Sequence, residues 1–137
     1  MRRRWTVALV AVTASVLAGC TAGGPTTPSR PAIFDRAQVP ADVLPAEVLG
    51  TEDPSTSRYV GEDSAGDRYW AVWGPADTAC IVQLPATKPG NYFSFCGGLG
   101  ISGSDASGVV MEFASAPRRL DPSSSELIGD TLLVQRP

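Results

Sequence analysis

The sequence predicts a mainly β fold: about five to six short antiparallel strands in one compact sheet or small sandwich, with one or two short helical turns and one disulfide. Two features of the chain beyond residue 50 carry the strand prediction. Short runs rich in Val, Ile, Tyr, Phe and Trp alternate with stretches of Gly, Pro, Asp and Ser, the pattern of strands bounded by turns. The connections are also short, which favours antiparallel neighbours, because a parallel crossover needs about a dozen residues or more.

The chain opens with Arg2, Arg3 and Arg4, followed by an apolar run from Val7 to Leu17 and then Leu17-Ala18-Gly19-Cys20. A run of this length suits the roughly 7–15 residues of a secretory h-region and falls short of the ~18 or more of a membrane-spanning helix. A buried N-terminal helix would leave the arginine cluster unpaired. Leu17-Ala18-Gly19-Cys20 resembles the lipobox of bacterial lipoproteins. That resemblance implies diacylglyceryl transfer to the Cys20 thiol and cleavage just before it. Leu17 would be the −3 position and Gly19 the −1 position of a signal peptide spanning 1–19. Arg2-Arg3-Arg4-Trp5 shares only its arginines with a twin-arginine export signal, so an ordinary positive n-region is the simpler reading. Ten arginines against one lysine suggest a high-GC genome. The layout broadly resembles the small lipoproteins of actinobacteria, which implies a lipid anchor on the extracytoplasmic face of the cell membrane rather than a particular reaction.

If Cys20 carries lipid, Cys80 and Cys96 remain, and two thiols allow one pairing. An exported chain meets an oxidising compartment, so a structural disulfide is expected. Closing a loop of this size is worth about 3 kcal/mol in the chain-entropy model. A redox-active pair more often has Cys-x-x-Cys spacing at a helix start.

Residues 20–31, the lipidated cysteine followed by TAGGPTTPSRP, read as a disordered tether, and 32–137 as one small β-rich domain. In Ala32–Gly50 the apolar residues Ile33, Phe34, Val39, Val43, Leu44, Val48 and Leu49 are interrupted by Pro40 and Pro45. One or two helical turns are expected there, with Pro45 opening a turn that Gly50 closes. Strands are expected at Ser57–Gly61, Arg68–Trp73, Ala79–Leu84, Tyr92–Cys96, Gly108–Ala114 and Thr131–Gln135. Ser123 to Glu126 fits a capping box, predicting a helical turn before the last strand. In the second run Tyr69, Ala71 and Trp73 share one side while Arg68, Trp70 and Val72 share the other. Aromatic residues on both sides predict a central strand covered on each face. In the fifth run Val109, Met111 and Phe113 oppose Val110 and Glu112, predicting a half-exposed strand.

Composition excludes several functions. The chain has no His, which rules out His-dependent catalytic triads and His-ligated zinc. The net charge is −3. Removing the three leading arginines takes the basic count from 11 to 8 against 14 acidic residues, a net of −6. That is the wrong sign for a protein held by nucleic-acid phosphates.

Gly98-Leu99-Gly100-Ile101-Ser102-Gly103 matches G-x-G-x-x-G, but no helix start follows to receive a pyrophosphate, so a flexible glycine loop joining two strands is expected. Glu62, Asp63 and Asp67 offer oxygens to calcium, yet Asp with Gly is also ordinary turn chemistry, and no metal site is assigned. Ser102, Ser104 and Ser107 have only Lys88 as a basic partner, which supports no nucleophile. Tyr59, Tyr69, Trp70, Trp73, Tyr92, Phe93 and Phe95 are a dense aromatic set, expected to form the core. Trp70, opposite its aromatic neighbours on its own strand, is the candidate contact surface.

No catalytic residue or cofactor is assigned. The expected function is a membrane-tethered, non-enzymatic binding or interaction module of the cell envelope, with an envelope protein or small ligand as partner. A carrier would hold an apolar or glycan ligand between the sheet and Ile33–Leu49. An enzyme using converging carboxylates ranks last.

Overall fold

The computed structural model describes residues 30–137 except 49, 51, 89, 99, 117–119 and 122. The residues of the expected signal peptide and lipobox, Leu17, Ala18, Gly19 and Cys20 among them, lie outside the described residues, as does the expected tether up to residue 29.

Among the described residues eight strands form two antiparallel sheets of four. β1 (Ser57–Glu62), β2 (Arg68–Trp73), β3 (Thr78–Leu84) and β4 (Phe93–Gly98) follow one another as a meander. The second sheet has the order β5-β6-β8-β7, from β5 (Ile101–Ser104), β6 (Val110–Phe113), β7 (Glu126–Ile128) and β8 (Leu132–Gln135). The sheet edges meet at β4 against β5 and at β1 against β7. The sandwich core comprises Tyr69, Ala71, Ala79 and Ile81 from the first sheet against Ile101, Met111, Phe113, Leu132 and Val134 from the second.

The first sheet is apolar on its other face as well. Trp70, Val72, Val82 and Leu84 form a second buried cluster, covered by Leu44 and Val48 from the segment preceding β1. The expectation of a central strand buried on both faces is met at β2. Trp70, in contrast, is no contact surface. It is 3% exposed, its ring lies 5.1 Å from Tyr59, and its indole N–H donates to the Ala41 carbonyl at 3.2 Å. An apolar body with one donor is stable when buried if that donor finds an acceptor, and the 39–48 segment supplies both the cover and the acceptor.

The covering segment is fastened by Asp42. Its carboxylate accepts from both terminal nitrogens of Arg36 at 2.5 and 2.6 Å and from the Val39 and Tyr59 amides at 2.8 Å each. Burial pushes this carboxyl up, but the Arg36 and amide hydrogen bonds outweigh it and hold the group at about 2. Earlier in the segment, Phe34 enters the sandwich core with its ring 5.1 Å from Trp73 and 6.1 Å from Phe113. Arg30 lies 5.1 Å over Trp73, and Pro31 is fully buried. Arg30 and Pro31, read from sequence as the end of the tether, thus pack against the domain, the guanidinium over the Trp73 ring.

The one or two helical turns expected in Ala32–Gly50 are present as single 3-10 turns at Ala32–Phe34 and Pro40–Asp42, and a third stands at Pro54–Thr56. Several other expectations are corrected. Pro45 does start a hydrogen-bonded turn, with Val48 N donating to its carbonyl at 3.0 Å, but no helical element forms there. The capping-box residue Glu126 instead begins β7, which pairs with β8 through a tight turn at Gly129, where φ is +56°. The supposed glycine loop contains β5. Gly103 is needed there for space, since a Cβ would sit 2.8 Å from the Phe95 ring. β6 is not half exposed: Glu112 is buried, and its Oε2 accepts from the Leu120 amide at 3.0 Å.

Cys80 and Cys96 form a disulfide between directly opposed residues of β3 and β4, with Cα atoms 4.0 Å apart.

Trp70→Ala should cost about 3–5 kcal/mol in urea unfolding, the range for removing a buried aromatic side chain; a contact residue on the surface would cost less than 1. Because Asp42 titrates lower in the folded chain than in the unfolded one, its contribution is complete above about pH 4. It should be lost as pH falls towards 2, by about 2 kcal/mol. The urea midpoint of Asp42→Asn should lack this part of the acid slope.

Candidate functional site

The turn between β1 and β2 is folded by its own aspartates. Asp63 Oδ1 accepts from the amides of Ala65 and Asp67 at 2.9 and 3.0 Å, the side-chain turn that Asp favours, and Gly66 supplies a φ of +84°. Asp63 Oδ2 is thereby aimed inward, where it accepts from the Tyr69 hydroxyl at 2.7 Å and from Arg136. Asp67 Oδ1 accepts from the Ala86 amide at 2.9 Å, and its Oδ2 from Gln83 Nε2 at 3.0 Å and Arg136 at 2.7 Å. One arginine, just beyond β8, thus holds two buried carboxylates of the β1–β2 turn.

Gln83 is set by strand parity. Ala79, Ile81 and Gln83 alternate on the core face of β3, and Gln83 stands opposite Tyr69. It is 1% exposed. Asp67 can only accept, so the amide nitrogen must face it. Gln83 also donates toward Asp105, and the amide oxygen is buried without a hydrogen-bond partner.

Of these groups Asp67, Gln83 and Arg136 form the floor of an open cleft of about 330 Å³. Tyr92 and Phe93, both half-buried, form an aromatic wall; Lys88, Asn91 and Asp105 stand on the rim. Asp105 is fixed by its turn, accepting from Ser107 N and Oγ at 2.8 and 2.7 Å and from Val109 N at 3.0 Å.

The charges in the cleft are settled before any ligand arrives. Burial pushes Asp63 up, but Arg136, Tyr69 and the Asp67 amide outweigh it and hold the carboxyl below its usual range. Asp105 is likewise held low, its burial outweighed by Ser107, Val109 and Gln83. Burial, reinforced by the hydrogen bond to Asp63, pushes the Tyr69 phenol well up. At neutral pH the Asp105 carboxylate at the cleft is therefore ionised, while the ionised Asp63 lies buried beneath it, bound to Arg136 and to the neutral Tyr69 phenol.

Of the residues singled out from sequence, Asp63 and Asp67 do come together, but on Arg136, and the bonds to Arg136, Tyr69, Gln83 and backbone amides take up their oxygens. Lys88 reaches the cleft rim. Ser107 serves the Asp105 turn, and Ser102 and Ser104 are exposed on β5. Tyr69 and Trp70 are core, whereas Tyr59, Trp73, Tyr92, Phe93 and Phe95 are half-buried. Gln83, Asp105 and Arg136 were missed. Gln83 had a signal: it is the one polar residue at a core-facing position of an apolar run. Where Leu44 and Val48 pack on the Trp70 and Val72 cluster, the carrier space expected between sheet and Ile33–Leu49 is filled instead.

No protein-family model, curated protein or solved structure matches this chain. Among the described residues no helix is long and apolar enough to cross a membrane.

Replacing Arg136 by Ala leaves Asp63 and Asp67 buried without their counter-charge. Breaking a buried pair costs about 3–5 kcal/mol, and the partial exposure of Arg136 puts the expected loss at the low end, about 3 kcal/mol. Protonation relieves orphaned carboxylates, so the gap from wild type should be wider at pH 7 than at pH 4 when both are unfolded in urea.

Proposed function

We propose that this protein is a non-enzymatic binding module of the cell envelope, held at the extracytoplasmic face of the membrane by lipid on Cys20, and that the Gln83–Tyr92 cleft is where it binds. The order Leu17-Ala18-Gly19-Cys20, the arginines before it and the Gly/Pro/Thr stretch after it support the anchor. The observation that carries the binding reading is the make-up of the cleft. A half-exposed aromatic wall stands beside polar groups already locked in position, and the carboxylates are held ionised. General acid catalysis needs a carboxyl that keeps its proton near neutral pH. Recognition needs fixed donors and acceptors beside an apolar surface.

The ligand that suits this cleft is a small polar molecule with an apolar face, of which a sugar ring is the best example. Its C–H face stacks on Tyr92, and its hydroxyls bond Asp105, Asn91 and Lys88. The glycan therefore belongs to this cleft and not beneath Ile33–Leu49.

Two measurements test this. Native mass spectrometry of the protein extracted from its own membrane in mild detergent should give a chain starting at Cys20, plus a diacylglyceryl group and less two hydrogens. A mass retaining Met1 would overturn the anchor. NMR titration with an oligosaccharide panel should move the Asn91, Tyr92 and Asp105 amides, and Lys88→Ala should weaken binding about tenfold, the loss of one charge-assisted hydrogen bond. Shifts confined to another surface, or no binding across the panel, would overturn the cleft assignment.

A further inference from the structure

We propose that Cys80, Cys96 and Glu52 form a redox-gated site for a thiophilic divalent cation of the zinc class, closed while the disulfide stands and open once it is reduced. The three residues come from different parts of the fold. Cys80 on β3 and Cys96 on β4 are directly opposed on the outer face of the first sheet. Glu52, from the segment before β1, crosses that face. One of its carboxylate oxygens accepts from Ser94 Oγ at 2.7 Å; the other is buried with no hydrogen-bond partner. A carboxylate oxygen and the two sulfurs all lie within 4.8 Å of one another. They open onto a cleft of about 530 Å³ bordered by Thr56, Trp73 and Thr78, and Cys96 is exposed.

The unpartnered oxygen is the telling feature. A buried carboxylate oxygen with no donor is costly, and in the oxidised state neither sulfur has a proton to offer. Reduction changes this. An external dithiol gives two electrons and two protons; the S–S bond breaks, Cys80 and Cys96 become thiols, and the reductant leaves as its own disulfide. The set then comprises two thiols and a carboxylate, held by opposed strands so that both sulfurs reach one ion. Binding the cation releases the two thiol protons to solvent and forms two metal–sulfur bonds and one metal–oxygen bond. Three protein ligands with one position left for water is a zinc coordination pattern. Ser94 fixes the carboxylate by its other oxygen, as partners of ligating carboxylates do.

The test uses the full chain with Cys20→Ser, so that Cys80 and Cys96 are its only thiols. The disulfide is reduced with a water-soluble phosphine, which takes oxygen from water as the two thiols form. Cadmium is then titrated while thiolate-to-metal charge-transfer absorption is followed. The expected result is one ion per chain after reduction and none before it. Glu52→Gln should keep the absorption but weaken affinity at least tenfold. Zinc should raise the thermal midpoint of the reduced chain by several degrees, as a ligand of the native state does. Absence of the absorption band after reduction would overturn the proposal, and so would equal affinity in Glu52→Gln. A reduced chain that gains no thermal stability from zinc would place the ion on unfolded thiols and overturn it equally.

Discussion

Strands β2 and β3 carry large apolar side chains on both faces, and a sheet of that kind must be covered twice. The two faces are covered differently. Tyr69, Ala71, Ala79 and Ile81 meet a second sheet, while Trp70, Val72, Val82 and Leu84 meet only the segment leading into β1. Much of the molecule follows from this. A segment chopped by Pro40 and Pro45 cannot cover a sheet as a long helix, so it lies across it in 3-10 turns. Such a segment has few backbone hydrogen bonds of its own and needs fastening from outside. Asp42 does this with four bonds, two of them reaching Arg36 and one reaching β1. Ser57 adds another, its hydroxyl donating to the Asp42 carbonyl at 2.6 Å.

At the end of the fold that carries the β1–β2 turn, the same problem has a second ionic solution. The core face of β3 ends in Gln83, not in an aliphatic residue, and β2 presents Tyr69 opposite it. Two polar groups at the rim of an apolar core require partners. Asp63 and Asp67 provide them, and Arg136 bridges the two carboxylates, its single positive charge offsetting one of their two negative charges. The network ties three regions distant in sequence: the β1–β2 turn, the loop after β3 at Ala86 and the chain beyond β8. Its desolvation cost is offset by the number of bonds each carboxylate makes, which is the condition under which buried ions are tolerated.

Strands with strong apolar signatures were legible in the sequence. The six expected runs correspond to β1, β2, β3, β4, β6 and β8, with ends shifted by a few residues at most. β5 and β7 were not legible. Ile101-Ser-Gly-Ser104 has one apolar residue, and it pairs because β6 offers an edge and because Gly103 makes room for the Phe95 ring. β7 has three residues, and its approach through Ser123-Ser124-Ser125-Glu126 carries a helix-start pattern that pairing with β8 overrides. The site was less legible still. Strand parity pointed to Trp70 as the odd aromatic because the sequence does not reveal that Ala41, Leu44 and Val48 come back over that face. The two aspartates were visible as turn formers, but Arg136, 69 positions away from Asp67, has no local signature linking it to them.

β3 places its two kinds of chemistry on opposite faces. Cys80 and Gln83 are three residues apart, so strand parity sends the first outward to Cys96 and the second inward to the polar network. A slip of one residue in the β3–β4 pairing would turn β4 over, sending Phe93 and Phe95 away from the sandwich core and bringing Ser94 and Cys96 into it. The β3–β4 connection from Pro85 to Tyr92 is longer than a tight hairpin and constrains register only loosely. The cross-strand disulfide constrains it strictly, because it joins residues that face each other directly. Through the same register it also fixes Gln83 opposite Phe93, which sets the floor of the cleft against its aromatic wall. The covalent link on one face thus holds the geometry of the cleft on the other. It does so by excluding the alternative pairings rather than by contributing a contact to the cleft itself.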